Sequence, residues 1–341
     1  MVLEAETLDL APRASELLQR LAGDPRFKPE LPAAQLEIVV PPAATVGEAT
    51  AALRTARADL AEAGSGIGVL AGAGAHPFAA TEGVLSKSDR YEALQREYGP
   101  VARRQLVFGL HVHVAVRPAH RALAVYNALR SYLPLIAALA ANAPFYGGKD
   151  TGLASVRPKL AEQLPRQGVP PPLASLEELA DAVRWAGIAP GQWWWEARLH
   201  PGFGTVEVRV PDTQTTVAET AAIAAVVHAL VTGLADRYDA GEVLPVAPSW
   251  RIAENRWSAC RHGLDGTMAD LVTGERRPTR AWASELLDGL TGAAERAGCP
   301  AELAAARSAL NANGAIRQRA IAEERGGLRP LTAWLTERFL G

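Results

Sequence analysis

An α+β fold is predicted, an antiparallel sheet with helices packed on it and a helical C-terminal part, because the strand-like runs fall early and the helical pattern takes over late. Gln35–Val40 and Gln105–Val116 read as β-branched, apolar strands, and Trp193–His200 and Thr205–Val210 flank Pro201–Gly204 in the manner of a hairpin loop. From Val217 onward the spacing is nearly all helical, broken at Gly241–Pro248, Gly263–Gly266, Gly274–Pro278 and Gly326–Gly327. No internal repeat, heptad run or disordered tail interrupts the chain, so a single domain over residues 1–341 is expected.

In order along the chain, Glu16–Leu21 predicts a short helix, and the strand at 35–40 is stopped by Pro41 and Pro42. Val46–Ala63 repeats apolar residues at helical spacing, Gly66–Ala71 reads as a strand, and Ser88–Tyr98 as a helix. The run 105–116 is apolar except at His111 and His113, which predicts a central buried strand ended by Pro118. A long Ala/Leu-rich helix follows to about Ala141. The Gly/Pro-rich segment Asn142–Pro172 is too long to be a mere connector.

Composition narrows the chemistry. With 48% hydrophobic residues in 341, a large core can be buried. Lys plus Arg (35) nearly balance Asp plus Glu (37), so the broad positive field that nucleic-acid backbones require is missing. Cys260 and Cys299 lie far apart without CxxC spacing, against a disulfide scaffold or structural zinc and in favour of a reducing compartment. The first residues carry Glu4 and Glu6 where an export signal is basic and then apolar. Thr220–Leu234 carries His228 and falls short of the roughly 20 residues that span a bilayer, so it reads as a buried helix. Cytoplasmic localisation, with no membrane or nucleic-acid partner, is the expectation.

On a strand, His111 and His113 share a face, while Leu110, Val112 and Val114 take the other. A lone HxH is as readily two core histidines bonded to backbone as a functional pair. Glu37 sits mid-strand, where a carboxylate in an apolar sheet needs a cation or basic partner. Glu207 and Arg209 share a face of their strand, and an internal ion pair is the plainer account of that pair taken alone. Polar groups on one face of three separate strands favour convergence on one site. Carboxylates plus imidazole suit Mg²⁺ or Mn²⁺, whose usual work is to bridge nucleotide phosphates.

The chain resembles the bacterial carboxylate–amine ligases of the glutamate–cysteine ligase type 2 group, which share the glutamine synthetase fold. The resemblance runs from about Leu3 to the C-terminus. It rests on Glu6–Arg13, Lys28–Leu31, Gln35–Glu37, Ala102–Leu106, Gly109–Val114, Asp150–Ser155 with Arg157, Thr205–Arg209 with Asp212, Glu254–Trp257 and Arg261–Asp265. It implies a glutamine-synthetase-like antiparallel sheet, with ATP and Mg²⁺ (or Mn²⁺) as cofactors. Glu30, Glu37, His111 and Glu207 match metal-binding positions, and His113 a position near the nucleotide phosphates, which Arg104 is also placed to reach. Arg209 matches the arginine facing the carboxylate substrate, Glu207 and Arg209 being the catalytic pair, and Lys149, Asp150 and Arg157 lie in the loop that closes over that substrate. The implied reaction phosphorylates a carboxylate, glutamate by resemblance, and an amine then displaces phosphate. A homodimer is also implied.

Members of that group open with a strand reading Gly-Val-Glu-Glu-Glu-Phe, which supplies further ligands and has no counterpart before Val2. The expectation is a start farther upstream, with an inactive relative as the alternative. Leu153, Ala115 and Ala143 also depart from the group's pattern. Among other residues, Trp193–Trp195 read as packing, His76 as a turn residue, and Arg103–Arg104 as a solvated pair. A metal-dependent amidohydrolase-like hydrolase and a non-catalytic binding relative are the competing readings; the former predicts a (β/α)₈ alternation that the helical final third lacks.

Overall fold

The computed structural model describes residues 1–187 and 192–341. Its first part runs β1 (Val2–Leu3), α1 (Ala14–Arg20), β2 (Phe27–Pro29), β3 (Leu36–Ile38), α2 (Val46–Ala63), β4 (Val69–Leu70), α3 (Asp89–Tyr98) and α4 (Pro100–Arg103). Next come β5 (Val112–Ala115), α5 (Ala119–Leu129), α6 (Leu133–Leu139), β6 (Phe145–Tyr146), β7 (Lys149–Asp150), α7 (Arg157–Ala161), α8 (Leu176–Ala186), β8 (Ala197–His200) and β9 (Thr205–Val208). The helical part holds α9 (Val217–Asp239), α10 (Ser249–His262), β10 (Thr267–Ala269), β11 (Arg276–Pro278), α11 (Thr279–Gly289), α12 (Thr291–Arg296), α13 (Pro300–Asn311), α14 (Gly314–Glu324) and α15 (Leu328–Glu337).

Mixed α+β architecture is therefore observed, and every named strand pair is antiparallel. Among the described residues the strands form one three-stranded sheet, ordered β5-β9-β8, and four two-stranded ribbons: β1-β4, β2-β3, β6-β7 and β10-β11. One expectation is corrected here. Residues 105–116 do not make a long central strand: β5 is short, lies at the sheet's edge, and β9 takes the centre. Upstream of it the backbone leaves the ladder, with Phe108 N–H donating to the Gly74 carbonyl and Leu110 N–H to the Pro211 carbonyl, and Gly109 bridging Asp212 alone.

Local chemistry explains the elements. Thr45 caps α2 by accepting from the Glu48 N–H, and Thr216 and Glu219 close a reciprocal capping box on α9. Gly147 and Gly148, both at positive φ (57° and 79°), make the tight turn between β6 and β7 that right-twisted strands favour. Helix α9 is the centre of the core. It packs against α13, α5, α2 and α12, and Val114, Ala197, Val206 and Val208 of the sheet join the same apolar cluster. Both α9 and the span Ala119–Leu139 are long and apolar enough to cross a bilayer by length and composition, and both are mostly buried within the protein.

Buried arginines tie segments together through main-chain carbonyls. Arg57 of α2 donates to the carbonyls of Thr215 (2.8 Å), Phe339 (2.8 Å) and Gln214 (3.2 Å). Arg130, between α5 and α6, donates to the carbonyls of Pro170 and Ala247 and to the Ser249 hydroxyl.

Candidate functional site

Alternation along the three-stranded sheet puts its valines on the helices and its polar residues on the opposite face. His113 and Arg198 both stand opposite Glu207, from the two sides of β9; Ala115 and His200 flank Thr205 in the next row. Glu207 is 1% exposed, and its carboxylate accepts from Arg198 Nε and Arg209 Nη1, with Arg198 Nη2 at 3.4 Å. Burial by itself would raise this carboxyl. The guanidiniums of Arg209 and Arg198 overcome that and hold its pKa at about 2.

The histidines border this pair. Arg209 Nη1 donates to His111 Nδ1 at 3.3 Å, and that nitrogen lies 3.9 Å from Glu207 Oε1. Burial and the Arg209 guanidinium push the His111 imidazole well below its usual range, so it stands neutral. His113 shares a hydrogen bond between Nδ1 and Thr205 Oγ1 (2.9 Å), and its Nε2 lies 3.5 Å from Glu207.

Glu37, opposite Lys28 on the β2-β3 ribbon, and Glu30 are both half-buried. Burial, reinforced by Glu37, raises the Glu30 carboxyl; burial likewise raises Glu37, with Lys28 and Arg209 opposing and Glu207 adding to the rise. These two acids therefore feel each other and the Glu207–Arg209 pair. Two desolvated carboxylates under mutual repulsion are suited to a hard divalent ion. Among the described residues, no three His, Cys, Asp or Glu side chains stand close enough to form a ready cation cage.

The remaining candidates lie elsewhere. Arg104 pairs with Glu82 at the surface, alongside Arg103. Asp150 receives both Nε and Nη2 of Arg319 at 2.8 Å, and Lys149 is exposed beside it on β7. Arg157 is 8% exposed rather than poised over the sheet: its Nη2 donates to the carbonyls of Arg209 and Pro211, each at 2.7 Å, and its Nε lies 3.3 Å from Asp212. It thus holds the backbone that carries Arg209. Asp212 also accepts from the Asn142 N–H and the Ser155 hydroxyl.

Sequence reasoning missed Arg198, although the signal was present: a hairpin closed over Pro201–Gly204 pairs residues 200 with 205 and 198 with 207. It also missed Glu196 and Arg256, a buried pair bonded at 2.8 and 3.0 Å, where the Glu196 carbonyl accepts from the Arg209 N–H. As expected, His76 serves a turn and Trp193 is buried packing, edge-on to Trp195 at 4.5 Å.

Against solved structures, the whole chain matches 87% of a glutamate–cysteine ligase from Francisella tularensis crystallised with AMP, at a TM-score of 0.71 and 13% identity. In addition, 93% of it matches a bifunctional glutathione synthetase from Pasteurella multocida at a TM-score of 0.66 and 16% identity, and spans 48% of that longer chain. The fold is thus the α+β fold of glutamate–cysteine ligases. The family model described as glutamate–cysteine ligase family 2 matches residues 5–333, and the chain belongs to that family. A relative in Rubrobacter xylanophilus, provisionally named glutamate–cysteine ligase 2-3, is 38% identical over 98% of this chain and 94% of its own. Another in Thermobifida fusca, provisionally named glutamate–cysteine ligase 2, is 37% identical over 96% and 85%.

Proposed function

We propose that this protein is an ATP-dependent carboxylate–amine ligase, of the glutamine-synthetase-like kind, acting on glutamate or a close analogue at the polar face of β5, β9 and β8. The observation that carries the reading is a buried carboxylate held between two guanidiniums and bordered by two imidazoles, with Glu30 and Glu37 within electrostatic reach. Family membership supports it.

In the proposed reaction, a substrate carboxylate oxygen attacks the γ-phosphorus of ATP, forming an acyl phosphate and releasing ADP. The amine nitrogen then attacks the acyl carbon, the C–O bond to phosphate breaks, and the nitrogen loses a proton. The resemblance assigns Glu30, Glu37, His111 and Glu207 to Mg²⁺ or Mn²⁺, which would neutralise charge on the triphosphate. With Glu207 bonded to Arg198 and Arg209 and, among the described residues, no three such groups close together, these four as arranged here do not form that site, and no step is routed through a protein-bound ion. Arg209 and Arg198 bind and orient anionic groups, since their guanidiniums are fixed and desolvated and so cost little reorganisation. Arg157 and Glu196 fix the backbone beneath Arg209. The single catalytic unit and cytoplasmic placement expected from the sequence belong to this proposal.

Purified protein incubated with ATP, Mg²⁺, glutamate and a panel of amines should release phosphate only when acid and amine are both present. Hydrolysis of amides without ATP, or silence from protein that binds no nucleotide, would overturn the reading.

A further inference from the structure

An aromatic cluster stands beside the site and takes no part in the chemistry above. The loop between β8 and β9 turns back so that the Phe203 ring stacks on His200, centroids 4.1 Å apart and 9° from parallel. Its backbone fixes that pose: the Phe203 N–H faces the His200 carbonyl at 3.2 Å and Nδ1 at 3.3 Å, and the Gly204 N–H donates to the same carbonyl at 2.9 Å. His113 meets both rings edge-on, at 5.5 Å each. Yet Phe203 is 65% exposed, so one broad apolar surface of this ordered cluster faces solvent.

Its position is informative. His200 and Thr205 lie one row along the sheet face from Arg198 and Glu207, a step of about 7 Å. Across the same row stands Ala115, exposed and too small to fill the space over its strand. The face therefore passes from guanidiniums, through His113, to an aromatic ledge beside an open floor. Fixed cations followed by an apolar ring surface match a molecule with an anionic tail and a flat aromatic head.

We propose that Phe203, backed by His200, is the stacking ledge for the base of a nucleoside triphosphate whose phosphates lie toward Arg198 and Arg209. This rests on the ligase reading and adds to it the residues that hold the base. Stacking recognises the face of the ring, so the ledge binds any purine and confers little choice between adenine and guanine.

The test is calorimetric titration of the whole protein with ATP and, separately, with inorganic tripolyphosphate, both with Mg²⁺, in wild type, Phe203→Ala and Phe203→Trp. Phe203→Ala should weaken ATP about tenfold or more while leaving tripolyphosphate unchanged, and Phe203→Trp should restore ATP binding. Equal ATP affinity in Phe203→Ala and wild type would overturn the ledge and leave the ligase reading standing, as would parallel loss of both ligands. A wild type that binds neither ligand would overturn the ligase reading itself.

Discussion

Replacing His76 with asparagine and following unfolding against pH isolates the protonation of one buried group. The ring is 2% exposed; its Nδ1 accepts from the backbone N–H groups of Phe78 (3.2 Å) and Ala79 (2.9 Å), and Nε2 donates to the Leu8 carbonyl at 2.8 Å. Both ring nitrogens are committed in the neutral form, and a second proton must break the bonds at Nδ1. Burial, only partly offset by the Leu8 carbonyl, brings the pKa from 6.5 down to about 4. Since the folded value lies below the unfolded one, acid is taken up first by the unfolded chain, and stability is lost as pH falls from 6.5 through 4. The displacement is worth roughly 3 kcal/mol in full, of which about 2 kcal/mol is lost by about pH 5. Urea titrations of wild type and His76→Asn, read by tryptophan fluorescence, give the comparison. The variant should be the less stable near neutrality, and the gap should narrow by about 2 kcal/mol between about pH 7 and about pH 5. A gap that stays constant over that range would refute the account of a neutral, fully bonded imidazole.

Two further substitutions probe the framework. Glu196 and Arg256 are 7% and 6% exposed, so Glu196→Gln strands a buried guanidinium and should cost about 3–5 kcal/mol; the double variant with Arg256→Met should lose less than the sum of the singles, and coupling below about 0.5 kcal/mol in urea titrations would contradict this. A Cβ at Gly74 would lie 2.6 Å from Asp212 Cγ and 3.0 Å from Ala143 Cβ, so Gly74→Ala should lower stability by at least about 1–3 kcal/mol, and an unchanged thermal midpoint would show that the packing is looser than described.

Much of this organisation was legible in the residues. Helix α2 falls on its predicted span because a threonine cap and unbroken helical spacing agree there, and the β8-β9 hairpin follows from alternation on both sides of a Gly/Pro loop. The polar face was legible too, since alternation alone puts Glu207 with Arg209 and His111 with His113. Strand order was not: β5 is as apolar as a central strand because helix α9 covers one of its faces, and that burial says nothing of which strand lies beside it. Arg157 was unreadable for a similar reason. A basic residue in a polar loop looks solvated until the fold surrounds it with carbonyls. The small β10-β11 ribbon near Gly274, where Met268 is the one buried residue, carried too little apolar pattern to announce itself.

Arg57 donates its hydrogen bonds to main-chain oxygens, and its guanidinium also lies over the Phe339 ring at 4.8 Å, so the junction it guards depends on little else in its neighbours' side chains. Thr215 and Gln214 can each be exchanged for another residue without deleting the acceptor Arg57 uses, because every amino acid brings the same carbonyl, whereas Phe339 supplies its ring as well. One side chain thus joins three stretches far apart in the chain, and replacing it would take a donor from all three carbonyls at once.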